Sequence, residues 1–449
     1  MPPETLAAPS TAPSLRLIAG RILTLAAPTT AIAALQAAGQ LAETVLAARQ
    51  GTVALAGWAL VLPFVLMMQQ MSGGAMGGGV VSAIARALGG GRREDASAMV
   101  LHAMLIALGL GGIYMIVLAG FPLPLFRAIG GHEAAVAAAP YAAWLFGAGA
   151  IPAWIGNTLA SVLRGGGKHA LAAAVTAGQA IAFPPLAWAL MEPAGLGLAG
   201  LGMAFAATQI GAMLAMATVV WRGGAGFIPV LRMRPRRDLF LRILAVGTIA
   251  CAMAAIANLT TILVTARVAA HGAAATAAYG ISARLEFLMI PLAFGIGSAL
   301  TALVGRAVGG GDWATARRTA WLGAAGAFVF AASAGLATGL FPLQFARFFT
   351  TDAEVVAIAA RALGIIGPAF GGFGFGMALY FASMGTGRMR WPATAALARI
   401  IVAVAGGWFL ADILGWGLDG QFIAVALGIT SYGAVIASSV RPEVWRARG

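Results

Sequence analysis

The chain has a single cysteine, Cys251, so no internal disulfide can form and a disulfide-stapled secreted scaffold is excluded. Charge is scarce as well. Only 9% of the 449 residues are Asp, Glu, Lys or Arg, against about 25% in soluble domains. Low charge with high apolarity excludes intrinsic disorder, which needs the opposite balance. Lys168 is the only lysine. The four histidines (His102, His132, His169 and His271) are scattered without metal-ligand spacing. Catalytic motifs are also missing. RGGGK at 164–168 suggests a phosphate loop, but a Walker A loop needs Gly at 162 and Ser or Thr at 169. Val162 and His169 stand there. No enzyme and no cofactor are expected.

What is abundant is apolar. Hydrophobic residues make up 61% of the chain and glycine supplies 62 positions. The mean hydropathy is +0.91. A soluble protein needs a polar shell that this composition cannot provide. The expected fold class is an all-α polytopic membrane protein. At roughly 20 apolar residues per crossing, apolar runs predict twelve spans. They lie near 22–46, 53–84, 96–120, 134–162, 170–191, 198–221, 240–266, 274–305, 316–341, 354–383, 392–413 and 420–440. Residues 1–15, rich in Pro, Ala and Ser, read as a disordered tail. They are not a signal peptide, because Glu4, Arg16 and Arg21 precede an apolar run too long for one.

Arginine sets the expected orientation. With the N-terminus inside, the outer side holds only Arg49, Arg127, Arg267 and Arg347. Arg284 and Arg361 fall within spans. The remaining basic residues, Arg399 among them, fall on the inner side. Both termini are then cytoplasmic. The formal charge of +14 reports topology rather than a nucleic-acid partner, and it suits anionic membrane lipid.

Landmarks recur at an offset of 220 residues. Phe121-Pro122-Leu123 returns as Phe341-Pro342-Leu343, and Arg127 as Arg347. Arg86 and Gly89-Gly90-Gly91 return as Arg306 and Gly309-Gly310-Gly311. Gly165, Gly167 and Lys168 return as Gly385, Gly387 and Arg388. The expected division is a tail (1–15), an N-lobe of six helices (16–221), a basic cytoplasmic linker (222–239), a C-lobe of six helices (240–440) and a second tail (441–449). Such repeats place a substrate site between halves that rock in alternating access.

Ionisable residues inside apolar spans are costly and therefore informative. Glu43 lies near the outer end of the first span. Gln36 and Gln40, seven and three residues earlier, share its helix face. One reading is a protonatable site in a cavity; the other is an interfacial carboxylate paired with Arg49. Arg284 and Glu286 sit in the eighth span, two residues apart. They cannot face each other, so each needs another partner or substrate. Gln69, Asn157, Gln179 and Asn258 are cavity candidates or interhelical hydrogen bonds. Asp412 and Asp419 are expected to be solvated at the last outer turn. The glycines of GGAMGGG (73–79) suit close helix packing.

At these residues the chain resembles the multidrug and toxic compound extrusion (MATE) family. The segments concerned are AETVLAARQGTVALAG (42–57), VVSAIARALGGGRREDA (80–96), RGGGKHA (164–170), AAYGISARLEFLMIP (277–291) and ALTALVGRAVGGGDWATA (299–316). The resemblance covers the chain after residue 16. It implies a two-lobed transporter of the bacterial inner membrane that functions as a monomer. Small cationic amphipathic compounds would leave in exchange for protons or sodium. The family's N-lobe coupling acid, usually Asp, falls on Glu43. Its supporting fifth-helix Asn and Asp fall near Phe183 and Ala187. The seventh-helix Glu of sodium-coupled members falls near Ala257 or Asn258, and the tenth span has no Asp. These departures favour protons over sodium. The alternative is a flippase for a lipid-linked precursor. A pyrophosphate cavity needs several arginines, and the spans offer only Arg284 and Arg361. The short loops leave no room for a sensory or catalytic domain.

Overall fold

The computed structural model of the chain describes residues 13–446. Most of the expected N-terminal tail, residues 1–12, and the last three residues lie outside it. Fourteen helices follow one another among the described residues. They are α1 (Leu15–Arg49), α2 (Thr52–Gly89), α3 (Arg93–Ala119), α4 (Pro122–Gly130), α5 (His132–Gly165), α6 (His169–Met191) and α7 (Gly197–Trp221). The second half contains α8 (Arg237–Ala269), α9 (Ala273–Gly309), α10 (Trp313–Leu340), α11 (Pro342–Phe349), α12 (Ala353–Thr386), α13 (Arg390–Ile413) and α14 (Gly417–Ser439). All but α4 and α11 are long and apolar enough to cross a membrane, which makes 12 spans. Helices suit this solvent because every backbone group finds its partner within the segment.

Each span matches a predicted apolar run but begins before it. The first runs from Leu15 to Arg49 rather than 22–46. Hydropathy marks only the hydrocarbon crossing, whereas the helix continues through the headgroup layer carrying its arginines. The segment expected as linker, 222–239, is non-helical only as far as Arg236, because α8 begins at Arg237.

The short helices α4 and α11 are what the recurring Phe-Pro-Leu marks. In each, the proline occupies the first helical position (Pro122, Pro342), where its missing N–H costs nothing. The repeat extends to the turns. Gly91 and Gly311 have φ of +73° and +81°, and Gly167 and Gly387 have +77° and +76°. These left-handed conformations favour glycine.

The two halves share α1. Leu46 and Ala47, near its C-terminal end, belong to the hydrophobic cluster built mainly from α2 to α7. Ile18 and Ile22, near its beginning, belong to the cluster built from the second half. α1 therefore straddles the lobes. Glycine brings the lobes closest at the arginine-rich end. A Cβ on Gly89 would lie 2.1 Å from the Arg306 carbonyl oxygen, and one on Gly309 would lie 2.2 Å from that of Arg86. Within GGAMGGG, a Cβ on Gly79 would sit 2.8 Å from the Ile243 carbonyl oxygen of α8. This run does serve close packing, and it packs across the lobes.

Candidate functional site

Glu43 projects from α1 into the N-lobe between α2 and α5. The indole Nε1 of Trp58 donates to its Oε1 at 3.0 Å. The hydroxyl of Tyr141 donates to the same oxygen at 2.8 Å. Both donors are buried, Tyr141 to 1% exposure, while Glu43 is half-buried. Among the described residues no hydrogen bond reaches Oε2 and no cation pairs with the carboxylate. Arg49 is engaged with Glu192 at 3.4 Å instead. Sequence reasoning missed Trp58 and Tyr141. Both lie on other helices, and only their polar tips in an apolar span marked them.

Gln36 and Gln40 lie on the same helix but are exposed, and neither touches the carboxylate. Asn157 reaches a second polar spot at Ser72, where Gln69 takes part only through its backbone carbonyl. α2 widens to π geometry over Gln70–Met76, a local expansion frequent at functional sites. There the buried Ser72 accepts from the Asn157 amide at 2.8 Å and lies against the Gln69 carbonyl at 3.4 Å. Ser161 donates to the Asn157 carbonyl at 2.8 Å. Gln179 is half-buried on α6. Asn258 is exposed, and its amide turns back to the Ala254 carbonyl of its own helix at 2.9 Å.

Arg284 is exposed on α9. Glu286 finds its partner on α13, where Arg399 donates to its carboxylate. The side chains are 14% and 11% exposed. The Arg399 guanidinium also sits 5.4 Å from the centre of the Phe373 ring. Sequence reading counted Arg399 among the inner-face charges. The structure corrects this, because the helix carries it inward to a buried carboxylate. Asp412 and Asp419 keep contact with solvent, with side chains 47% and 37% exposed, and each also holds an arginine: Asp412 pairs with Arg267 at 2.6 Å, and Asp419 pairs with Arg361.

Polar contact between the lobes gathers at the arginine-rich end. Arg86 of α2 donates to the carbonyls of Gly385, at 3.2 Å, and Met384, at 3.4 Å, at the end of α12. Ser82 also donates to Met384. In the reciprocal direction, Arg306 of α9 donates to the Gly166 carbonyl at 2.6 Å, at the end of α5. Each lobe's arginine thus caps the other lobe's helix C-terminus, where free carbonyls and the helix dipole favour a cation. His169 and Ser298 meet at 3.3 Å. Asp95 of α3 pairs with Arg242 of α8 at 2.9 Å. Among the described residues, no interlobe side-chain hydrogen bond or ion pair occurs at the opposite end. There Glu192, Asp412 and Asp419 pair within their own lobes.

Among the described residues no cluster of His, Cys, Asp and Glu could hold a metal ion. Trp58 presents an N–H to Glu43 and cannot ligate a cation.

The MatE family model matches residues 28–189 and again 249–409, once in each half of the repeat. Comparison with curated proteins finds no match. Several solved structures share the fold. A MOP superfamily transporter from Pyrococcus furiosus, described as having a binding pocket of reverse polarity that suggests a different function, is 22% identical. It covers 97% of this chain and 99% of its own, with a TM-score of 0.88. An outward-facing multidrug resistance MATE family transporter is also 22% identical, with the same coverage and a TM-score of 0.86. The Vibrio cholerae MATE transporter VcmN in its bent form is 20% identical, covering 96% and 99%, with a TM-score of 0.86. The chain belongs to the MatE family and is a membrane transporter, not an enzyme.

Proposed function

We propose that the protein is a secondary antiporter that expels small cationic amphipathic compounds in exchange for protons, with Glu43 as the coupling carboxylate. The observation that carries this reading is the environment of Glu43. Two neutral donors converge on one oxygen, no cation among the described residues neutralises the group, and the second oxygen is left to a proton. Donor hydrogens repel sodium, so the site suits proton exchange. The other carboxylate well inside a span, Glu286, already holds Arg399.

In the proposed orientation the arginine-rich face is cytoplasmic, following the positive-inside rule. The reciprocal Arg86 and Arg306 caps then close the cytoplasmic end, and this arrangement is outward-facing. Release of those caps, with closure of the outer end, would complete alternating access. An inside-negative potential opposes expulsion of each positive charge by about 2.3 kcal/mol per 100 mV, so the inward proton offsets it.

Purified protein in liposomes with a fluorescent organic cation provides the test. A pH gradient in sodium-free buffer is expected to drive cation movement, and Glu43→Gln is expected to abolish it while the protein stays folded. Full transport by Glu43→Gln, or movement under a sodium gradient alone, would overturn the assignment.

A further inference from the structure

Arg16 and Arg21, in the first two turns of α1, are used by neither the Glu43 site nor the interlobe caps. They line a cleft of about 890 Å³ at the arginine-rich end. The cleft is walled by α1 on one side and by the ends of α9 and α10 on the other. Its floor includes Gly167, in the turn of the first half, and Arg306, in the second. Thr24 and Thr315 add hydroxyls. The one acid among the described lining residues, Asp312, is engaged in capping α10, where its Oδ1 accepts from the Thr315 N–H at 2.9 Å. Arg16 and Arg21 are exposed and form no ion pair among the described residues.

We propose that this cleft binds the phosphate headgroup of an anionic phospholipid, and that the lipid there bridges the two lobes. Three guanidinium groups against one engaged carboxylate call for an anion. Arginine suits a phosphate because its N–H fork matches the phosphate oxygens. The position selects a lipid over a soluble phosphate. Arg16 and Arg21 lie within about 10 Å of the helix start, at 1.5 Å per residue, which is headgroup depth. Leu17 and Leu23 beside them are exposed and give acyl chains an apolar surface. A basic cleft between helices at a membrane face is a recurrent lipid-headgroup site. A second cleft of about 600 Å³, between the start of α1, α10 and the chain after α14, is lined by Arg318 and the indole of Trp321. A headgroup touching both Gly167, in the first half, and the α9–α10 turn, in the second, favours the state in which the caps are closed.

Native mass spectrometry of the purified full chain, titrated with phosphatidylglycerol or phosphatidylcholine, tests this. Phosphatidylglycerol is expected to bind in preference. Arg16→Gln with Arg21→Gln is expected to weaken it about 30-fold, the equivalent of about 1 kcal/mol for each arginine. Arg16→Lys with Arg21→Lys keeps the charge and most of the binding. Arg232→Gln with Arg234→Gln, in the exposed linker, keeps all of it. Unchanged binding in the Gln pair would overturn the proposal. So would an equal loss in the linker pair, which would mean diffuse surface charge. Displacement of the lipid by inorganic phosphate at millimolar concentration would also overturn it, by revealing a free-anion site. None of these outcomes bears on Glu43, so they are separable from the coupling mechanism.

Discussion

Arg86→Ala is expected to open the arginine-rich end. In the closed state the guanidinium reaches two carbonyls of the opposite lobe, Gly385 and Met384. Hydrogen bonds to a charged group contribute about 1.5–3 kcal/mol. Water replaces them when the lobes part, so a net value near 2 kcal/mol is reasonable. That lowers the ratio of closed to open by about 30-fold. A closed population near 99:1 would fall to about 3:1. Arg306→Ala removes a single cross-lobe bond and should have a smaller effect, about tenfold at about 1.4 kcal/mol. The two caps lie side by side, since Gly89 packs on Arg306 and Gly309 on Arg86. Their effects are therefore expected to be coupled rather than additive. Spin labels at Lys168→Cys and Ala314→Cys, both exposed and on opposite lobes, would report the separation in a Cys251→Ala background. The prediction is a longer-distance population that grows from wild type to Arg306→Ala to Arg86→Ala. An unchanged distance distribution in both variants would refute the idea that these caps hold the end shut.

The Glu43 donors make their own prediction. Trp58→Phe and Tyr141→Phe each remove one bond to Oε1, and each should slow proton-driven transport roughly tenfold. Rates in the same liposome assay would check this, and wild-type rates in both variants would count against it. The Glu286–Arg399 pair predicts an asymmetry in stability. Glu286→Ala or Arg399→Ala leaves a buried charge alone and should cost about 3–5 kcal/mol, whereas the double substitution should cost less than either. Thermal denaturation of the purified protein reads the order directly.

The architecture was legible because membrane solvent imposes it residue by residue. Apolar runs marked all twelve crossings, and the 220-residue offset marked the halves before any geometry was known. Recurrence of positive-φ glycines at Gly91 and Gly311 and at Gly167 and Gly387 is the same repeat expressed in turns. Glu43 was legible as well, since a carboxylate in an apolar helix is conspicuous. Its partners were not. Trp58 and Tyr141 lie 15 and 98 residues away, and helical periodicity constrains only neighbours on one helix. Glu286 posed the same problem, because its partner Arg399 lies 113 residues away and the arginine count had placed that residue on the inner side. Arg86 and Arg306 stood out in sequence only as repeat landmarks. That each caps the other lobe depends on how the lobes meet, which no single-helix pattern encodes. The Phe-Pro-Leu repeat shows a signal seen but not interpreted. Proline at the first position of a helix was readable at 122 and 342, and it announced α4 and α11.

The most direct test of the central claim is proton movement itself, followed with a pH-sensitive dye trapped inside sodium-free liposomes. Imposing a gradient of an organic cation should drive protons across the membrane through the wild-type protein. In Glu43→Gln, proton movement should vanish while binding of the cation persists. Proton movement at the wild-type rate in Glu43→Gln, or its absence in the wild type while sodium sustains transport, would contradict the assignment of Glu43 as the coupling group.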